Sequence, residues 1–170
     1  CYTAFGSSGS GKTYIITKCV EMHRKALDPN KEVYVFSEIE DDKVMDELTP
    51  AVKRIKIDES WIDTPGDPKA LENCICIFDD IDAIKNKKVL NAVVDFRKQL
   101  LNMGRHQNVW VYNTNHEIKA NILTKDLIRE SHALFFFPGS NVTNKIKKFL
   151  IDDLGLTKEK ATYCVSAERK

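Results

Sequence analysis

Residues 6–13 read Gly6-Ser7-Ser8-Gly9-Ser10-Gly11-Lys12-Thr13, preceded by an apolar stretch at 2–5 and followed by a segment to Leu27 in which Ile15, Cys19, Met22 and Ala26 recur at helical spacing. A strand that breaks into glycines and restarts as a helix places this turn at the carboxyl edge of a sheet. Glycines at 6, 9 and 11 let successive backbone N–H groups converge with no Cβ between them, and the helix N-terminus adds partial positive charge. Such a concave array of donors suits the phosphates of ATP. The Lys12 ammonium would reach the β- and γ-phosphates, and the Thr13 hydroxyl would be a ligand of Mg²⁺.

The rest of the chain alternates between strand and helix signals. Asp28-Pro29-Asn30 stops the first helix, and residues 33–36 form a β-branched and aromatic run that reads as a second strand. An acidic stretch follows, with Glu38, Glu40, Asp41, Asp42, Asp46 and Glu47, and predicts a solvated loop with a short helix. Residues 52–57 are a candidate short strand left uncounted, and 61–68, with three Pro or Gly, read as a surface loop. Cys74–Phe78 is an unbroken apolar run ending in Asp79-Asp80, which predicts a buried central strand. Residues 87–103 place Leu90, Val93, Val94 and Leu101 on one helical face, with Gly104 as the cap. Residues 109–112 and Ala133–Phe137 complete the set, the last stopped by Pro138-Gly139. This order predicts an α/β fold, a mostly parallel central sheet flanked by helices on both faces. At 170 residues it reads as one P-loop ATPase domain, and its opening on Cys1 inside an apolar stretch reads as a fragment or trimmed chain.

Composition narrows the function classes. Hydrophobic residues make up 42% and charged residues 30%, with no run of about 18 apolar residues, which argues against both a bilayer-spanning helix and a disordered chain. A net charge of +1 gives no general field for nucleic acid, so any DNA contact must be local. The five cysteines are scattered, and Cys74 and Cys76 sit two apart on one strand face, a pattern of reduced thiols in an intracellular compartment rather than of a metal clip.

Parallel strands bring distant residues to one edge. Asp79 falls there beside the Mg²⁺, and Asp80 is next in line to orient or deprotonate a water, with Asp82 and Glu38 as alternative bases. Asn113-Thr114-Asn115-His116 emerges at the same edge. The Asn115 amide would bond both water and γ-phosphate, or the cluster is a turn that caps the next helix, and His116 reads as a surface histidine. Arg105 is either a cation at a helix C-terminus or an arginine finger offered to a neighbouring subunit. Lys85, Lys87 and Lys88, like Lys145, Lys147 and Lys148, read as solvated basic turns or as DNA contacts.

Three stretches, GSSGSGKT, CICIFDDID and MGRHQNVWVYNTNH, together resemble the FtsK–HerA group of DNA-pumping ATPases, and within it the poxvirus-type genome-packaging branch of large DNA viruses and virophages. The likeness spans residues 1–138, and its Gly-Arg-His segment is more discriminating than the loop. It implies an added strand between the two Walker strands, a homo-oligomeric ring around double-stranded DNA, and Arg105 as a trans-acting arginine. It further implies Thr114-Asn115 in the position of a Thr-Gln γ-phosphate sensor. Asp80 stands where the wider group has glutamate. A capsid vertex or portal component would be a partner, and the virus factory of the host cytoplasm or the virion the location. The expected function is a DNA-translocating motor that packages a viral genome. A nucleoside or small-molecule kinase and a slowly hydrolysing nucleotide switch are the alternatives, although residues 117–130 carry only one arginine, Arg129, which argues against a kinase's mobile basic lid there.

Overall fold

The computed structural model describes residues 1–118, 124–139 and 142–166, with Arg105 described by its backbone alone. Six strands form one sheet in the order β3-β2-β4-β5-β1-β6, where β1 is Tyr2–Gly6, β2 Glu32–Ser37, β3 Lys53–Lys56, β4 Cys74–Phe78, β5 Trp110–Asn115 and β6 Ala133–Phe137. Every pairing is parallel. The helices are α1 (Lys12–Leu27), α2 (Lys43–Asp46), α3 (Ser60–Asp63), α4 (Lys87–Gln107), α5 (Lys125–Glu130), α6 (Thr143–Asp152) and α7 (Lys158–Ser166). The expected α/β architecture is therefore present, and β5 lies between β1 and β4, as the family resemblance implies.

Strand alternation sends the two side-chain sets to opposite layers. Ala4, Val33, Val35, Ile75, Ile77 and Tyr112 pack with Ile16 and Val20 of α1. Phe36, Cys74, Cys76, Phe78, Val109 and Val111 face Trp61 of α3 and Val89, Val93, Phe96 and Leu100 of α4. Phe5 and Phe136 meet Ile146 and Phe149 of α6 and Ala161 of α7. Cys74 and Cys76 share a face as expected, both buried as free thiols with their sulfurs 3.8 Å apart. No helix among the described residues is long and apolar enough to cross a membrane.

Several local expectations are corrected. Residues 53–56 do form a strand, β3, pairing with β2 from Tyr34↔Lys53 to Ser37↔Lys56. Its Lys-Arg-Ile-Lys sequence hides the strand because an edge strand gains from charges that discourage further pairing. Helix α1 buries the Ile16, Val20 and His23 face, while Met22 is 70% exposed and Ala26 is exposed too. Residues 61–68 are only partly loop, since Trp61 sits in α3, buried against Phe36 and Phe96, with its indole N–H donated to the Lys56 carbonyl at 3.0 Å. On α4 Val93 and Val94 are buried as expected, with Val89, Phe96 and Leu100 beside them, whereas Leu90 and Leu101 only flank that face. That helix also outruns Gly104. Asn108, at φ 53°, takes the left-handed cap position and donates its backbone N–H to the Gly104 carbonyl. Gly104 is needed for a close approach instead: a Cβ there would stand 3.0 Å from the Val109 carbonyl oxygen.

His23 makes this core sensitive to acid. Its Nδ1 lies 2.9 Å from the Tyr112 hydroxyl and its ring meets Trp110 edge-on. Burial, reinforced by Lys31, lowers its pKa to about 4. Above pH 6.5 the ring is neutral in both folded and unfolded chains and has no effect. Between about 6.5 and 4 the unfolded chain binds the extra proton, so the native state loses roughly 3 kcal/mol from this group as pH falls. Denaturant titrations of wild type and His23→Gln at pH 7 and pH 4 check this. The wild-type advantage over the variant should shrink by 2–3 kcal/mol on acidification (an order-of-magnitude figure), and an advantage that holds constant would refute it.

Candidate active site

The 6–13 loop bridges β1 and α1 at the carboxyl edge of the sheet, with Gly9 at φ 71° and Gly11 at φ 99°, both in the left-handed region that glycine tolerates. Gly6 answers to a different constraint. A Cβ there would stand 2.6 Å from Ser10 Oγ and 2.7 Å from Phe137 Cβ, so the end of β6 closes tightly over the loop. No side chain caps the first turn of α1, which leaves its N–H groups available to an anion. The Lys12 ammonium is 4% exposed and reaches the Ser7 carbonyl at 3.3 Å and Asp80 Oδ1 at 3.5 Å. Ser10 Oγ is buried with no hydrogen-bond partner, a polar atom awaiting one.

Opposite the loop, β4 delivers Asp79 and Asp80. Successive residues of an extended strand point to opposite faces, yet here both carboxylates meet one hydroxyl. Asp80 turns left-handed (φ 46°), its backbone N–H is donated to Thr114 Oγ1 at 2.8 Å, and the same oxygen lies 2.7 Å from Asp79 Oδ1 and 3.0 Å from Asp80 Oδ1. A hydroxyl has one proton, which goes to the nearer Asp79. Thr114 is placed by register: β5 pairs Ala4 of β1 with Thr114 and Phe78 of β4 with Asn113. Asn115, paired with Phe5 just before the loop, is 1% exposed, and its Nδ2 has no partner.

This arrangement can be set beside known proteins. No family model matches the chain. Protein V3 of Sputnik virophage, itself uncharacterized, is 34% identical over 156 residues, which are 91% of this chain. The chain spans 62% of that relative's length. Among solved structures, the genome packaging NTPase B204 of Sulfolobus turreted icosahedral virus 2, in complex with ATP-gammaS, superposes with a TM-score of 0.53 at 12% identity, over 99% of this chain and 87% of that one. EssC (ATPases 2 and 3) from Geobacillus thermodenitrificans gives 0.50 at 17% identity, over 85% of this chain and 33% of that one. The fold is that of the P-loop NTPases.

At this sheet edge the donor set fits a divalent cation. Asp79 is buried, and its pKa is pushed up to about 6, chiefly by loss of solvent, with the Thr114 hydrogen bond pulling it down and the Asp80 charge raising it. A carboxylate held ionised against its surroundings at neutral pH gains from a neighbouring hard cation, and oxygen donors of this kind suit Mg²⁺.

The remaining sequence-derived residues fall into place unevenly. Asp82, an alternative base, has Oδ2 occupied by the backbone N–H groups of His116 and Glu117 at 2.7 and 3.0 Å. Glu38 is exposed just past the end of β2, and β4 separates that strand from β5. Asn113, Thr114 and Asn115 are buried strand residues, not the turn formers that were the alternative reading. Arg105 is in the last turn of α4, inside the helix rather than after it, and its side chain lies outside the described residues. Lys85, Lys87 and Lys88 are exposed at the start of α4. Lys145 pairs with Glu117 at 2.8 Å, Lys147 is half-buried and Lys148 exposed on α6. Thr114 as the joint between the carboxylates, and His116 beside them, were the residues that sequence reasoning undervalued. The available signal was a polar run that continues a strand without a Gly or Pro to end it.

Proposed function

We propose that this chain binds ATP with Mg²⁺ at residues 6–13 and hydrolyses it, and that the whole protein uses the hydrolysis to move double-stranded DNA while packaging a viral genome. The observation that carries the hydrolytic reading is the convergence of Lys12, Asp79, Asp80, Thr114 and Asn115 on one sheet edge. In this reading Thr13 and Asp79 would hold Mg²⁺, whose charge would offset that of the phosphates. Lys12 grips the β- and γ-phosphates, and Asn115 gives its free amide N–H to the γ-phosphate or the water. Asp80 orients the water that attacks the γ-phosphorus and accepts its proton as the bond to the bridging oxygen breaks, leaving ADP and inorganic phosphate.

Packaging is supported by the virophage relative and by the fold shared with the viral genome packaging NTPase. Arg105 is proposed as the arginine finger of a homo-oligomeric ring, with a capsid vertex or portal component as its partner and the host-cell virus factory or virion as its location. Lys85, Lys87 and Lys88 are exposed cations that follow the carboxylate turn in sequence and are the first candidates for DNA contact. A kinase lid gains no support on α5, where Arg129 is tied to Asp126 and Glu130 of its own helix.

The test is steady-state phosphate release by the full-length protein with and without duplex DNA, for wild type and Arg105→Ala. DNA is expected to raise turnover several-fold, and the substitution to lower it by about 10³ while nucleotide still binds. Phosphate transfer to a nucleoside in preference to water would establish the kinase reading instead. Turnover indifferent to Arg105→Ala at every protein concentration would remove the ring.

A further inference from the structure

His116 stands at the end of β5 with each ring nitrogen facing a different carboxylate, Nε2 at 3.3 Å from Asp80 Oδ2 and Nδ1 at 3.4 Å from Asp82 Oδ1. Asp82 also anchors the backbone that carries this ring, because its Oδ2 accepts the N–H of His116 at 2.7 Å. Asp80 is in turn divided among three neighbours. Its Oδ1 faces Lys12 Nζ at 3.5 Å and Thr114 Oγ1 at 3.0 Å, and its Oδ2 faces the imidazole.

We infer that His116 is a positioning residue for Asp80, holding one carboxylate oxygen away from the Lys12 ammonium so that it stays directed at the attacking water. The inference rests on the reading of Asp80 as the water-activating group given above. Its physical basis is a competition. A buried ammonium 3.5 Å from a carboxylate draws both oxygens toward itself, and a carboxylate that closes on Lys12 loses its line to water while weakening the lysine's hold on phosphate. An N–H from Nε2 on the opposite side balances that pull. The His116 side chain is 32% exposed, and the Asp82 bond to its backbone N–H fixes the point from which the ring reaches Asp80. Distances of this length are typical of catalytic contacts that tighten once substrate is bound.

The test compares wild type, His116→Ala, His116→Gln, Asp80→Asn and the His116→Ala/Asp80→Asn double variant of the full-length protein. Single-turnover ATP cleavage is measured together with ATP affinity and thermal unfolding. His116→Ala is expected to slow cleavage by roughly tenfold to a hundredfold, the cost of misplacing a reacting group by about 1 Å, with ATP affinity within about twofold of wild type. Gln, whose amide nitrogen reaches nearly as far as Nε2, should restore part of the rate. In the Asp80→Asn background the loss of His116 should have no further effect. Unchanged cleavage in His116→Ala would overturn the inference, as would an equal loss in the presence and absence of the Asp80 carboxylate. Wild-type cleavage by Asp80→Asn gives a separate result: it would remove the base assignment itself.

Discussion

Replacing Lys12 by Ala is expected to lower ATP turnover by at least about a hundredfold, with the fold intact. The ammonium is 4% exposed and lies between the Ser7 carbonyl and Asp80, so its charge acts where water screens little. Removing a preorganised donor from the position where phosphate charge builds up costs about 10²–10³ in rate at comparable sites. The backbone donors of the loop survive the change, so residual nucleotide binding is expected alongside the lost turnover. Phosphate release and calorimetric ATP titration measured on the same preparation separate the two. A variant turning over within threefold of wild type, taken as a rough threshold on that scale, would show that Lys12 is not part of the machinery.

Asp79→Asn should separate stability from activity in the opposite sense. Burial raises the Asp79 pKa to about 6 in the folded chain, above its ordinary 3.8. Below pH 3.8 both states are protonated and the group is neutral in its effect. As pH rises from 3.8 to about 6 the unfolded chain releases its proton first, so the native state loses up to about 3 kcal/mol, and that cost persists at neutral pH. An amide of the same shape still accepts the Thr114 proton and carries no charge to desolvate. The nucleotide-free variant is therefore expected to unfold several degrees higher than wild type at pH 7, roughly 2–4 °C for each kcal/mol in a chain of this size. The gain should vanish near pH 4. Magnesium-dependent hydrolysis should fall by about a hundredfold or more, because the cation loses its carboxylate. A variant that is both less stable at pH 7 and unimpaired with Mg²⁺ would contradict the geometry on both counts. The His23 effect runs the other way over nearly the same pH range, so each is read as a difference between wild type and its own variant.

The loop and the two central strands were legible because their signals are local. Glycine spacing, an unbroken apolar run and a following carboxylate pair carry their meaning without knowledge of neighbours. Errors arose where tertiary partners decide. Ile15, Cys19, Met22 and Ala26 form as regular a helical stripe as Ile16, Val20 and His23, and only the sheet beneath selects the second, leaving Met22 to solvent. Trp61 lies among turn residues but is drawn in by Phe36 and Phe96, which are distant in sequence. At the site, Asn115 and the carboxylates were legible as residue types at a shared edge. That Thr114 joins Asp79 to Asp80 was not, because it depends on the left-handed turn at Asp80, which nothing in an Asp-Asp pair announces.

The strand that carries Thr114 and Asn115 is clamped along both sides, by β1 and by β4. Sliding it by a single residue would rotate Thr114 to the opposite layer, so the joint between Asp79 and Asp80 cannot drift while the middle of the sheet stays zipped. Chemical alignment here is thus inherited from backbone pairing. Packing faults at Ile77 or Val111, core residues of the two strands, would therefore reach Thr114 through strand register as well as through stability.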